Sequence, residues 1–255
     1  MKYNNVIDTL RCWCADMTAK YAAQYDEERN HTGQSLRFFR YLVTSELQYK
    51  LGTLVDRDFS DFQELQAEIS RLMYVHLNTT LSKHLNRKES SHVRAAEDAF
   101  REFWETVTPD CAHPAFPYVR NIIGAEADRM IARFRAVWNY DPALYWYPLT
   151  GQADNSKLFI PFNYVEPYLT AISQLIGIPG KHIFEYGENW YPDVPACAEV
   201  DEIISYGGCE VAYTDRYFTW VIYFSHEDTV TFAGAIVPQI RQILSAEKQH
   251  WNKWN

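Results

Sequence analysis

The hydrophobic residues of this chain change their period partway along, and that change restricts the fold more than any other feature. Up to about residue 140 they recur every three or four positions. Leu36, Phe39, Val43, Leu47, Leu51 and Leu54 make one stripe. Phe62, Leu65, Ile69, Leu72, Met73, His76, Leu77 and Leu81 make a second, and Val93, Ala96, Phe100, Phe103, Trp104 and Val107 a third. Ile123, Ala127, Met130, Ile131, Phe134 and Trp138 make a fourth, and Val6, Leu10, Trp13 and Met17 begin the series within residues 3–25. Such spacing places each set on one side of a helix. Turn formers separate the stripes: DEERNHTG at 26–33, DRDFSD at 56–61, NRKESS at 86–91 and TPDCAHPAFP at 108–117. Pro117 then suits the first position of the last helix. Five helices with short links predict an antiparallel bundle.

Beyond residue 140 the helical stripe gives way. YDPALYWYPLTGQADNSK at 140–157 is rich in turn formers and marks the expected junction. NYVEPYLTAISQLIG at 163–177 reads as a helix stopped by Gly177. HIFEYG (182–187), CEVAYT (209–214), TWVIYF (219–224) and TVTFAG (229–234) read as strands, from their β-branched and aromatic content. IVPQIRQILSAEKQHWNKW closes the sequence as a helix. The expected fold is therefore α+β. Residues 1–140 form an antiparallel helical bundle, and residues 141–255 an antiparallel sheet with flanking helices. Trp-Tyr-Pro occurs at 146–148 and at 190–192, but the flanks differ and no repeat is implied.

With 255 residues, 47% of them hydrophobic, the chain can build a proper core. No apolar run reaches the roughly 18–20 residues that span a bilayer. Asp8, Arg11 and Asp16 interrupt the first residues, so no secretory signal is expected there. Five cysteines, with no C-x-x-C spacing, predict reduced thiols rather than disulfides or a zinc site. The expected location is the cytoplasm, with no membrane partner.

Charge is distributed unevenly. Residues 1–140 hold 18 Lys and Arg against 19 Asp and Glu, a net of −1; residues 141–255 hold 6 against 14, a net of −8. The window 181–228 alone has Lys181 and Arg216 against ten acidic residues, again −8, together with eleven aromatics. Such a segment repels phosphate, so nucleic acid is not an expected ligand. It attracts a basic protein and speeds its association. A solvated face that only keeps the chain dissolved has the same composition.

Catalytic motifs are scarce. The run Ser225-His226-Glu227-Asp228 cannot close a triad on itself, because neighbours in a strand or turn point apart. Its flanks alternate, which predicts a hairpin loop. His182 and Glu185 are the nearest complement to His226, but i,i+3 on a strand puts the two on opposite faces. His76 sits on an apolar helix face and reads as a core histidine. KHLNRK at 83–88 is a basic helix end, and GIPGK at 177–181 lacks phosphate-loop spacing. No metal and no cofactor are expected.

These observations predict a protein-binding protein that meets a basic partner through an acidic, aromatic surface. An immunity or antitoxin protein is one concrete form. The expected contact residues are Glu188, Trp190, Tyr191, Asp193, Glu199, Asp201, Glu202, His226, Glu227 and Asp228. The alternatives are a hydrolase-type enzyme with a His/carboxylate cleft between the two regions, and a structural module of a larger assembly.

Overall fold

The computed structural model describes residues 2–32, 35–77, 85–140, 157–177, 181–186, 197–200 and 210–253. The chain divides into two units, Met1–Phe116 and Pro117–Asn255. The expected junction at 140–157 falls almost wholly outside the described residues.

The first unit contains α1 (Asn4–Thr32), α2 (Arg37–Gly52), α3 (Phe62–Leu77) and α4 (Arg87–Trp104). Its contacts nest around the link between α1 and α2. Glu28 meets Arg37, Tyr25 meets Phe38, Thr18 meets Thr44 and Asn4 meets Asp56. Pairs that widen in this way require antiparallel helices. Trp13 then lies between Phe100 and Phe103, at centroid distances of 5.6 and 5.4 Å, which ties α4 to α1. The stripes read from sequence supply the core: Val6, Leu10, Val43, Leu47, Leu51, Leu65, Ile69, Ala96 and Phe100 are buried. The side chain of His76 lies outside what is described.

Two expected turns are helix instead. Residues 26–32 extend α1, because Asp, Glu and Arg are polar but do not break a helix, and the first glycine comes at 33. Residues 87–91 open α4. Asn86 caps it by accepting from the backbone N–H of Lys88 and Glu89 at 2.9 and 3.0 Å, and its own N–H donates to Glu89 Oε2 at 2.8 Å.

The second unit contains β1 (Val119–Asn121), α5 (Gly124–Trp138), β2 (Lys157–Pro161), α6 (Leu169–Ile176), β3 (Lys181–Tyr186) and β4 (Cys197–Val200). β5 (Glu210–Asp215), β6 (Trp220–Ser225), β7 (Thr229–Gly234) and α7 (Val237–Ile243) complete it. The strands form one seven-stranded sheet in the order β1-β4-β3-β5-β6-β7-β2. Every pairing is antiparallel. The α+β expectation holds: a helical region precedes an antiparallel sheet with flanking helices.

Both faces of the sheet are covered. On one, Leu158, Ile160, Tyr213, Ile222, Phe224, Val230 and Phe232 pack with Ile172 of α6 and with Val237 and Ile240 of α7. On the other, Ala212, Val221, Tyr223 and Ala233 pack with Ala127, Phe134 and Trp138 of α5. β6 is buried along its whole length for this reason. Each large side chain removed from water contributes about 1.5–3 kcal/mol.

Here α5 departs from the expectation for residues 1–140. Periodicity identifies its apolar face but not the layer that face covers, and the layer is the sheet. Pro117 does not start this helix. Residues 119–121 are extended and pair with β4, and α5 begins at Gly124, which has φ +59°. The helix expected over 163–177 also shortens. Pro167 has no N–H to give, so two 3₁₀ turns, Phe162–Tyr164 and Glu166–Tyr168, precede α6. The closing helix is likewise interrupted: α7 ends at Ile243 and a 3₁₀ segment, Ser245–His250, follows.

Gly234 is a position where the backbone requires glycine. Its φ is +79°, and a Cβ there would stand 2.4 Å from Thr219 O and 2.6 Å from the Trp138 ring. The outer edge of β2 is closed by Asn252. Its side-chain oxygen accepts from Phe159 N–H at 3.2 Å, and its own N–H donates to Phe159 O at 2.8 Å.

Candidate partner-binding surface

The run 225–228 sits where β6 turns into β7. Ser225 pairs with Thr229, so His226, Glu227 and Asp228 form a three-residue loop. Asp228 adopts φ +52°, a conformation that aspartate tolerates better than most residues. Ser225 Oγ accepts from Glu227 N–H at 3.2 Å, and Asp228 O accepts from Phe162 N–H at 2.7 Å. His226 Nε2 lies 3.2 Å from Glu227 Oε1. The tip is therefore held at its base while the Asp228 side chain stays exposed. Among the described residues no lysine or arginine pairs with Glu227 or Asp228.

Glu199 has a different role. Arg120 Nε donates to Glu199 Oε2 at 3.1 Å, and its terminal nitrogens donate to Glu126 at 3.0 and 3.2 Å. Glu126 foremost, with Glu199, drives the Arg120 pKa upward. Glu199 is thus neutralised inside its own unit, joining β4 to β1. Glu188, Trp190, Tyr191, Asp193, Asp201 and Glu202 lie outside the described residues. The register sets His182 opposite Glu199 and Thr214. Among the described residues no group of three His, Cys, Asp or Glu side chains could hold a metal ion.

Of the aromatics in the acidic window, Tyr213, Phe218, Trp220, Tyr223 and Phe224 are core side chains. Tyr217 is the opposite case, 66% exposed. It stands in the turn from β5 to β6, where Asp215 accepts from Thr219 N–H at 2.7 Å and Thr219 Oγ1 at 2.6 Å. The next residue, Phe218, has φ +60° yet only 2% exposure. The Arg133 guanidinium carbon lies 4.9 Å from the centre of its ring. The sequence places Tyr217 between two strands, and that position alone marks it as a turn residue. The contribution of α5 was hidden, because a helix face carries no sign of the strand turn it adjoins.

The helical unit has its own polar cluster. Arg11 donates to Asp8 Oδ1 at 2.9 Å, and both residues are buried. His113 Nε2 faces Asp8 Oδ2 at 3.2 Å while its Nδ1 faces Pro114 O at 2.9 Å. Both ring nitrogens are engaged, so this histidine ties the 108–116 loop to α1 and is poorly placed to act as a base. Nearby, Cys111 Sγ lies 3.5 Å from Thr9 Oγ1. Cys12, Cys14, Cys111 and Cys197 are free thiols. Burial pushes the Cys197 thiol up to about 12 and the Cys14 thiol higher still, so neither is a nucleophile near neutrality.

No helix among the described residues is long and apolar enough to cross a membrane. No family model matches the chain, and neither does any curated protein or solved structure.

Proposed function

We propose that this chain is a protein-binding protein whose sheet-bearing unit engages a basic partner through its acidic surface. Covering a basic toxin, as an immunity or antitoxin protein does, is the concrete form we favour. The observation that carries the reading is the hairpin tip at 226–228. It places Glu227 and Asp228 on a turn braced by the core, with no lysine or arginine paired to them among the described residues. It belongs to a window with ten acidic residues against two basic ones. An acidic tip without a lysine or arginine partner costs stability through self-repulsion and gains from meeting positive charge.

The test begins with affinity capture from native lysate and identification of the partner. Association kinetics then follow across a salt series. The partner should be basic, and its association should slow as ions screen the attraction over about 8–10 Å. Glu227→Lys with Asp228→Lys should slow association further. Trp190→Ala should speed dissociation, since aromatics dominate affinity while exposed ion pairs add about 0–1 kcal/mol each. An acidic partner, or association indifferent to salt, would sink the reading.

A further inference from the structure

We propose a second docking surface, made by the turn Asp215–Thr219 and the exposed face of α5, for an acidic peptide segment of another protein. It uses a different face and the opposite charge from the surface above, and it stands or fails independently of that reading.

Three locally unfavourable features lie in this turn and in the helix whose Arg133 reaches it. Arg129 and Arg133 are exposed one helical turn apart, a like-charge spacing that weakens a helix. Phe218 holds a backbone conformation that suits glycine or asparagine and is strained for a bulky side chain. Tyr217 leaves most of its ring in water. Phe218 recovers that cost by its burial beside Phe134, whereas an exposed aromatic and adjacent like charges are expected where a surface serves recognition. Arg129, Arg133 and Arg216 form no ion pair among the described residues, although the whole chain carries a net charge of −9. At the start of α5 the acid Glu126 is already engaged by Arg120, which also holds Glu199.

The charge of this surface complements an acidic peptide. All three cations are arginines, whose planar guanidinium pairs with a carboxylate through two parallel bonds. Arg133 is already positioned by the Phe218 ring, so less side-chain freedom is lost on binding. Asp215, the acid within the turn, is bent back onto Thr219. Asp128 lies about 100° round the helix from its neighbour Arg129. The turn itself is firmly seated, because Ala235 N–H donates to Thr219 O at 3.0 Å and Gly234 admits the Trp138 ring. Tyr217 supplies an aromatic contact of the kind enriched at interface hot spots. A nucleic acid fits less well, since a long polyanion must also pass the acidic remainder of the unit.

The probe is fluorescein-labelled octaglutamate, followed by anisotropy at low ionic strength. Saturable binding is expected that disappears on adding salt. Arg133→Ala with Arg216→Ala should weaken it by about tenfold or more, and Tyr217→Ala by about tenfold. Tyr217→Ala should leave thermal melting unchanged, which keeps the test valid if the arginine pair disturbs folding. Glu227→Lys with Asp228→Lys should leave octaglutamate binding intact, separating this proposal from the previous one. Absence of binding overturns the proposal. So does equal binding of an oligothymidylate of the same length. So does a finding by sedimentation that these substitutions alter self-association while peptide binding is unchanged, which would make a second copy the occupant.

Discussion

Among the described residues, the helical unit pairs more of its arginines with carboxylates than the sheet-bearing unit does. In the first, Arg11, Arg37, Arg57, Arg71 and Arg101 each reach a carboxylate. Ser35 and then Arg37 hold the Glu28 carboxyl below its ordinary range. In the second, Arg120 does the same for one edge of the sheet, while Arg129, Arg133 and Arg216 and the acids of the 226–228 tip have no such partner among the described residues. The reason lies in how each unit makes its core. A sheet buried on both faces gains enough from apolar contact to leave its surface charges unpaired. Amphipathic helices bury one stripe each and use ion pairs and caps to complete the rest.

The comparison can be broken at several points. Phe232 is fully buried in the sheet, and Phe232→Ala should cost about 3–5 kcal/mol in urea unfolding, with little dependence on salt. A loss near 1 kcal/mol would show that apolar burial does not dominate there. Asp8→Ala should cost about 3 kcal/mol, because it removes the carboxylate from a buried pair with Arg11. If it costs nothing, polar pairing is not what completes the helical unit. Asn86→Ala removes the cap of α4 and should cost about 1 kcal/mol by thermal melting. His226→Ala should cost no more than about 1 kcal/mol, as expected for a loop position. A loss several times larger would assign His226 to a buried polar network.

Acid titration sharpens the same contrast. Arg71, with Arg57, lowers the Glu68 pKa from 4.5 to about 2. A carboxylate shifted downward stabilises the fold fully above its ordinary value. That contribution fades as pH falls from about 4.5 towards about 2. The site is partly solvated, so screening reduces the effect to about 0.5 kcal/mol. Glu68→Gln should be less stable than the parent at neutral pH by that amount and indistinguishable from it near the acid limit.

Much of the fold was legible because periodicity survives in long elements. The stripe from Val43 to Leu54 and the alternation from Trp220 to Phe224 both lie where the sequence puts them. β1, β2 and β4 were not legible. β1 has three residues and β4 four, too few to show alternation, and β2 ends in proline. Their place in the sheet comes from pairing with distant strands, which local sequence does not record. The surface was legible only in part. Composition marked the acidic window, but it could not tell that Trp220 and Tyr223 belong to the core while Tyr217 faces solvent. Nor could it show that Glu199 is occupied by an arginine 79 residues away.

The Asn252 clamp on β2 has a consequence for handling the protein. Leu158, Phe159 and Ile160 form a short, strongly apolar strand at the margin of a large sheet, the kind of segment from which fibrils grow. Asn252 occupies both hydrogen-bonding groups of Phe159 and so denies a second molecule its template. Pro161 limits growth towards the following turn, because it has no N–H to offer. Replacing Asn252 with glycine, which keeps its φ of +53° and removes the acceptor from Phe159 N–H, should therefore leave the core intact while concentrated samples begin to bind thioflavin T, with Pro161 alone unable to prevent it.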